Sequence, residues 1–227
     1  MNHLSTDQYQ QLLDRARPLA RDGRGVKVFE LADGMIVKIF RRRNFITSDF
    51  LRPYAVRFQQ NAESLLVLGV KTVDVENIFT CPAKKQHLVL YRSVAGRTLR
   101  EVLADPAGRD DILARFSIFF AQLHGKGIFF RSIHFGNVIV SEGDNPFALI
   151  DVADMTIHKA ALSLSKRVRN FKHMIRYEED RKRIEANGVE SFVRNYMDAS
   201  LLSSNEKERF WQRLTKEVPF FRPPNPT

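Results

Sequence analysis

Val26-Lys27-Val28-Phe29-Glu30-Leu31, Ala32-Asp33-Gly34 and Met35-Ile36-Val37-Lys38-Ile39-Phe40 form the stretch on which the reading of the fold turns. Two short runs rich in β-branched and aromatic residues flank an Asp-Gly pair, the local signature of an antiparallel hairpin. Upstream, Ser5-Thr6-Asp7-Gln8 has the spacing of a capping box and predicts a helix running to about Arg21, broken by Asp22-Gly23-Arg24-Gly25. Downstream, Pro53 suits the first turn of a helix in which Val56, Phe58, Ala62, Leu65 and Leu66 recur at helical spacing up to Gly69. Val70–Phe79 and His87–Val94 read as two further strands.

After Ala95-Gly96-Arg97-Thr98 the character of the chain changes. Asp111–Gly125 is strongly helical, with Ile112, Leu113, Phe116, Phe119, Phe120 and Leu123 on a wide apolar face. Two short hydrophobic pieces, Val138–Val140 and Phe147–Ile150, follow around the turn Glu142-Gly143-Asp144-Asn145. From about Lys159 to Val218 helices dominate, with a second capping box at Ser203-Ser204-Asn205-Glu206. In the tail, Phe220 to Thr227, prolines deny regular structure. Strands first and helices last predict an α+β, two-lobed molecule: a small strand-rich N-terminal lobe over 1–94 and a helical C-terminal lobe over 95–227.

The chain has 227 residues, 44% of them hydrophobic, enough for a substantial core. No apolar run reaches the ~18–20 residues of a bilayer crossing. The first residues are polar-amphipathic without an apolar segment, so no secretory signal is expected. Cys81 is the one cysteine, which removes intramolecular disulfides and cysteine-rich zinc sites and fits a reducing cytoplasm. Thirty-six Lys and Arg against twenty-six Asp and Glu give a net charge of +10, which concentrates anions: nucleotides, phosphorylated sugars, acidic lipid or nucleic acid. No recognition helix or RNA-binding motif accompanies the charge, so nucleic acid is not expected as the partner.

Four features carry candidate chemistry. Lys38 sits inside an apolar strand, where an ammonium needs a phosphate or carboxylate partner unless it points to solvent from an edge strand. Glu63, on the helix after the hairpin, is a candidate for that partner, or a solvent-facing glutamate. Phe130-Arg131-Ser132-Ile133-His134-Phe135-Gly136-Asn137 alternates polar and apolar residues; an Asn carbonyl oxygen is a hard metal ligand, and His relays protons near neutral pH. Asp151 closes the run Phe147-Ala148-Leu149-Ile150, placed either to hold Mg²⁺ or to cap a turn.

Together these stretches resemble the protein-kinase-like phosphotransferase superfamily across about residues 20–180. Within it the closest resemblance is to the bacterial lipopolysaccharide core kinases and the related toluene-tolerance group. GRGVKVFELADGMIVKIFRRR, RPYAVRFQQNAESLLVLGV, FRSIHFGNVIV and LIDVADM carry it. The resemblance implies a protein-kinase-like fold and ATP- and Mg²⁺-dependent phosphorylation of a heptose or Kdo of the lipopolysaccharide inner core, at the cytoplasmic face of the inner membrane with a peripheral contact to it. It implies that Lys38, Glu63 and Gly25 bind the nucleotide, that Asn137 and Asp151 bind the metal, and that Arg131, Ser132 and His134 form the catalytic loop. His87–Val94 would lead to the hinge that holds adenine.

Two departures keep a second reading open. Ser132 stands where kinases carry the catalytic aspartate, and a serine hydroxyl is not a base at neutral pH. The phosphate-covering loop keeps Gly23 and Gly25 without a full G-x-G-x-x-G. A pseudokinase that binds nucleotide or acts as a scaffold is therefore the alternative, while His134 supplies a substitute weak base if the chain is an enzyme. A protein Ser/Thr kinase shares the same parts. Arg41-Arg42-Arg43 and Lys166-Arg167-Arg169-Lys172 are the basic patches expected to meet an anionic acceptor.

Overall fold

The structure is a computed structural model that describes residues 1–41, 52–105 and 111–222. Arg42, Arg43 and the proline tail 223–227, to which the sequence assigned roles, lie outside the described residues. The chain divides into two compact units: Met1–Ala95 with Leu149–Asp154, and Gly96–Ala148 with Met155–Thr227. The first contains a strand-rich sheet and the second is mainly helical, so the chain is a mixed α+β protein.

In the first unit the elements run β1 (Asn2–His3), α1 (Thr6–Leu13), β2 (Arg17–Asp22), β3 (Gly25–Glu30), β4 (Met35–Arg41), α2 (Tyr54–Val67), β5 (Lys71–Thr72), β6 (Asp74–Cys81) and β7 (Gln86–Arg92). The six-stranded sheet has the order β1-β6-β7-β4-β3-β2. β1 pairs parallel with β6, and the other neighbours are antiparallel. Ser5 and Gln8 do close a capping box on α1. The helix nevertheless stops at Leu13, and Arg17–Asp22 is a strand, not the helical continuation predicted to Arg21. Pro18 gives the physical reason. It lacks an N–H and disfavours helical backbone at the residue before it, yet is tolerated on the edge strand that β2 forms.

The Ala32-Asp33-Gly34 hairpin forms as its sequence predicts, with Gly34 at φ 80° and the Asp33 carboxylate accepting from the Met35 amide. β4 lies between β3 and β7, so both of its backbone edges are paired. Both of its faces are also covered. Val37 and Ile39 pack with Tyr9 of α1, Cys81 and Leu88. On the alternate face Phe40 meets Phe58 of α2, ring centroids 6.0 Å apart. A continuous apolar run is what such a strand requires. α2 buries Ala55, Phe58, Asn61, Ala62 and Leu65, while Leu66, expected on the apolar face, is exposed.

The second unit comprises β8 (Arg97–Thr98), α3 (Leu99–Ala104), α4 (Ile112–Gly125), β9 (Ile128–Phe130), β10 (Val138–Val140), β11 (Phe147–Leu149, whose last residue belongs to the first unit), β12 (Met155–Ile157), α5 (Leu164–Met174), α6 (Glu178–Asn187), α7 (Val189–Ala199) and α8 (Ser204–Glu217). Capping boxes open α3 at Thr98-Glu101 and α8 at Ser203-Glu206. The core is aromatic: Phe171 lies 5.1 Å from Phe120, 4.7 Å from Tyr196 and 5.5 Å from Phe210, ring to ring. Gly127, at φ 77°, turns the chain from α4 into β9, and a Cβ there would sit 2.3 Å from the His158 carbonyl oxygen. Only glycine fits that position.

Candidate functional site

Strand alternation sends Lys38 to the α2 side of the sheet, and burial leaves it 7% exposed. Its ammonium meets the Asp151 carboxylate at 2.5 Å and lies 5.5 and 5.8 Å from the ring centroids of Phe40 and Phe58. Burial pushes the Lys38 pKa below its ordinary value, opposed by the charge of Asp151. The ion pair and two ring faces are the partners that a buried ammonium needs.

Asp151 belongs to the segment that returns to the first unit, and that segment is tethered side by side. The Leu149 carbonyl accepts from the Thr72 hydroxyl at 2.6 Å, the Val152 carbonyl accepts from the Asn61 amide at 2.8 Å, and Asp154 faces Arg57 at 3.9 Å. Asp151 itself adopts φ 57°, the left-handed region that non-glycine residues seldom occupy. Such a conformation persists only where its surroundings hold it, and it is found disproportionately at functional sites. Its side chain is 39% exposed, so one carboxylate serves the buried lysine and also faces solvent. Burial, followed by the Asp151 charge, raises the pKa of the Tyr91 hydroxyl.

A cleft of about 520 Å³ opens at this pair, lined by Asp22, Gly23 and Arg24 of the β2–β3 turn, Lys27, Lys38 through Arg41, Tyr54, Asp151, Ala153 and Asp154. Four cations and three carboxylates share it. Arg41 is held by Asp22 at 3.0 Å and by the Val26 carbonyl at 3.0 Å. Gly25, at φ 110°, begins β3 behind the turn and is not among the lining residues; Gly23 is. The turn is thus glycine-dependent, but the glycine that faces the cleft is the other one.

Glu63 is not the partner of Lys38. It is exposed on α2, two residues beyond the buried Asn61, and residues two apart project from opposite sides of a helix. The acid that pairs with the lysine is Asp151, and α2 supplies Phe58 and Asn61 instead.

In the second unit Arg131, Ser132, His134 and Asn137 lie on one loop between β9 and β10. Asn137 donates through Nδ2 to the Ser132 carbonyl at 3.0 Å, which leaves its Oδ1 as the acceptor end. His134 packs edge-on against the Tyr177 ring at 4.8 Å. Ser132 is half-buried, and Arg131 is exposed with its carbonyl accepting from Arg176 at 3.0 Å. Asp180, fully buried, accepts from the Phe135 amide at 3.1 Å and takes the fork of Arg100 at 2.8 and 3.0 Å. These bonds raise the pKa of Arg100.

The start of the loop is held by a chain of buried polar groups. Arg167 can only donate, so the Tyr196 hydroxyl accepts from it at 2.9 Å and donates to His124 Nδ1 at 2.7 Å. The proton of His124 is therefore on Nε2, which donates to Asn170 Oδ1 at 3.1 Å, and Asn170 Nδ2 donates to the Phe130 carbonyl at 2.7 Å. Complete burial drops the His124 pKa to about 3, with the nearby Arg167 charge acting in the same direction. Arg167, expected on a basic surface patch, is 1% exposed and belongs to this network.

Sequence reasoning overlooked Asn61, Lys27, Tyr54, Asn170 and Asp180. Asp180 follows Glu178 and Glu179 and reads as part of a solvated acidic turn. Among the described residues no group of three or more His, Cys, Asp or Glu side chains is arranged to hold a metal. No family model and no curated protein sequence matches the chain.

Proposed function

We propose that the chain is an ATP- and Mg²⁺-dependent phosphotransferase with a protein-kinase-like fold, acting on a sugar hydroxyl of the lipopolysaccharide inner core, a heptose or Kdo, in the cytoplasm. The observation that carries this reading is the pairing of buried Lys38 with Asp151, held in left-handed backbone at the mouth of a cation-rich cleft. The acceptor rests on the resemblance of the quoted stretches to lipopolysaccharide core kinases.

The residues present suit the two ligands. A buried ammonium already satisfied by a carboxylate is a preorganised point charge for a phosphate oxygen. Mg²⁺ keeps several waters and needs only one or two protein carboxylates beside the phosphates, so Asp151 is a sufficient carboxylate at this cleft, and Asn137 Oδ1 is the further ligand that the resemblance assigns. When bound, Mg²⁺-ATP supplies the transferable phosphoryl group. Lys38, with Arg24 and Lys27 of the cleft, would neutralise its negative charge; in the second unit, His134 is the group to which the resemblance assigns the proton of the acceptor hydroxyl. Ser132 lends its carbonyl to orient Asn137. Phosphoryl transfer depends mainly on positioning and charge, so a weak base suffices.

Turnover of ATP with and without deacylated lipopolysaccharide core is the test. Lys38→Ala and Asp151→Ala are expected to lower the rate by about a hundredfold or more; undiminished turnover in either refutes the assignment. Ser132, in the position of a catalytic aspartate, specifically favours a second reading as a nucleotide-binding pseudokinase. Loss of wild-type turnover in His134→Ala supports the enzyme, whereas activity that emerges only in Ser132→Asp supports the pseudokinase.

A further inference from the structure

We infer that the outward face of α5 is a docking surface for an anionic lipid bilayer. It gives a place to the peripheral membrane contact that the resemblance implies, and its test needs no phosphotransferase activity. The buried side of α5 is formed by Arg167, Val168, Asn170, Phe171 and Met174. The opposite side presents Lys166, Arg169 and Lys172, spaced three apart on one helical face, with Lys159 before the helix and Arg176 just past its end, all exposed.

What distinguishes this face is the absence of compensation. α6, α7 and α8 each carry an ion pair four residues apart: Lys182–Glu178, Arg194–Glu190 and Arg213–Glu217. α5 contains no acidic residue. Among the described residues none of Lys159, Lys166, Arg169, Lys172 and Arg176 lies in salt-bridge range of a carboxylate. Three meet other groups instead: Lys166 Nζ lies 3.2 Å from His158 Nε2, the Arg169 guanidinium lies 6.0 Å from the Phe129 ring centroid, and Arg176 donates to the Arg131 carbonyl. Each of those three helices offsets part of its charge within itself, whereas α5 leaves its stripe of positive charge facing outward.

The chemistry of the stripe favours a bilayer over single-stranded nucleic acid. Recognition of single-stranded nucleic acid uses exposed rings on which bases stack. Here the rings beneath the face, Phe129 and Phe171, are buried. Three of the five cations are lysines, flexible point charges that suit mobile headgroup phosphates better than fixed bidentate partners. Each Lys or Arg brought to an anionic leaflet strengthens attraction by roughly fivefold, and the effect is screened within about a Debye length.

Flotation of the full chain, without nucleotide, with vesicles of phosphatidylcholine containing about one third phosphatidylglycerol tests the inference. Binding is expected to the anionic vesicles, to be absent with pure phosphatidylcholine, and to be reversed by high salt. The combined variant Lys166→Gln, Arg169→Gln, Lys172→Gln should weaken partitioning by roughly a hundredfold. The charge-matched variant Lys182→Gln, Arg194→Gln, Arg213→Gln should leave it within about threefold. Should the first variant fold poorly, Lys166→Arg with Lys172→Arg must retain binding. Equal weakening by both triple variants, no binding to anionic vesicles, or preference of the same residues for a short RNA duplex would overturn the assignment.

Discussion

Removing either partner of the Lys38–Asp151 pair should have unequal consequences, because the two are unequally buried. In Asp151→Asn the ammonium, 7% exposed, stays where it is without its carboxylate. Breaking a fully buried pair this way costs about 3–5 kcal/mol. Here the lost carboxylate is 39% exposed and the faces of Phe40 and Phe58 remain against the ammonium, so about 2 kcal/mol is expected. Asn tolerates φ 57° as Asp does, which keeps backbone strain out of the comparison. In Lys38→Met the unpaired carboxylate turns to solvent and the thioether fills an apolar site, so at most about 1 kcal/mol is lost. Native-state hydrogen exchange at the β4 amides reads the opening free energy of the first unit directly. The folded pKa of Lys38 lies below its unfolded value, so the unfolded chain binds the extra proton between the two, and stability rises with pH through that window. The Asp151→Asn deficit should therefore shrink as the pH is raised, and vanish in the double variant with Lys38→Met. A Lys38→Met cost equal to or above that of Asp151→Asn refutes the argument.

His124 is held neutral, with a folded pKa of about 3 against about 6.5 unfolded, so the unfolded state takes up its proton first and stability falls as the pH drops from 6.5 toward 3. His124→Gln should lower stability at pH 7 yet flatten this dependence by up to about 1.4 kcal/mol per pH unit, measured by urea denaturation with Trp211 fluorescence. Gly127→Ala forces a Cβ against two carbonyl oxygens at a positive φ and should cost the second unit about 3 kcal/mol or more, seen as a lowered unfolding midpoint. Asp180→Ala strands the Phe135 amide and the Arg100 fork. It is expected to cost about 3 kcal/mol and to speed exchange of amides 134–137 selectively; uniform exchange across the unit would contradict its role in positioning the loop.

Local grammar made much of the architecture legible. The Asp33-Gly34 hairpin, the boxes at Ser5 and Ser203 and the wide apolar face of α4 depend on neighbours within a few residues, and each forms as read, while Pro53, read into the first turn of α2, sits one residue earlier at its N-cap. The reading failed where the deciding contact is remote. The extension of α1 to Arg21 failed on a local signal as well, since Pro18 already argues against helix there, while the pairing with β3 that makes Arg17–Asp22 a strand is not visible in periodicity within residues 6–21. Thr98-Glu101, by contrast, carried a legible box that went unread.

Sequence alone determined that Lys38 had to be accommodated, since an ammonium within MIVKIF must be paired or turned out to water. Tertiary structure decided how. Covering both faces of β4 removed the route to solvent, helix geometry turned Glu63 away, and the tethered return of Leu149–Asp154 delivered Asp151. Which of two plausible acids meets a buried cation depends on the direction a side chain takes from a packed element, and that direction is set by contacts between residues far apart along the chain.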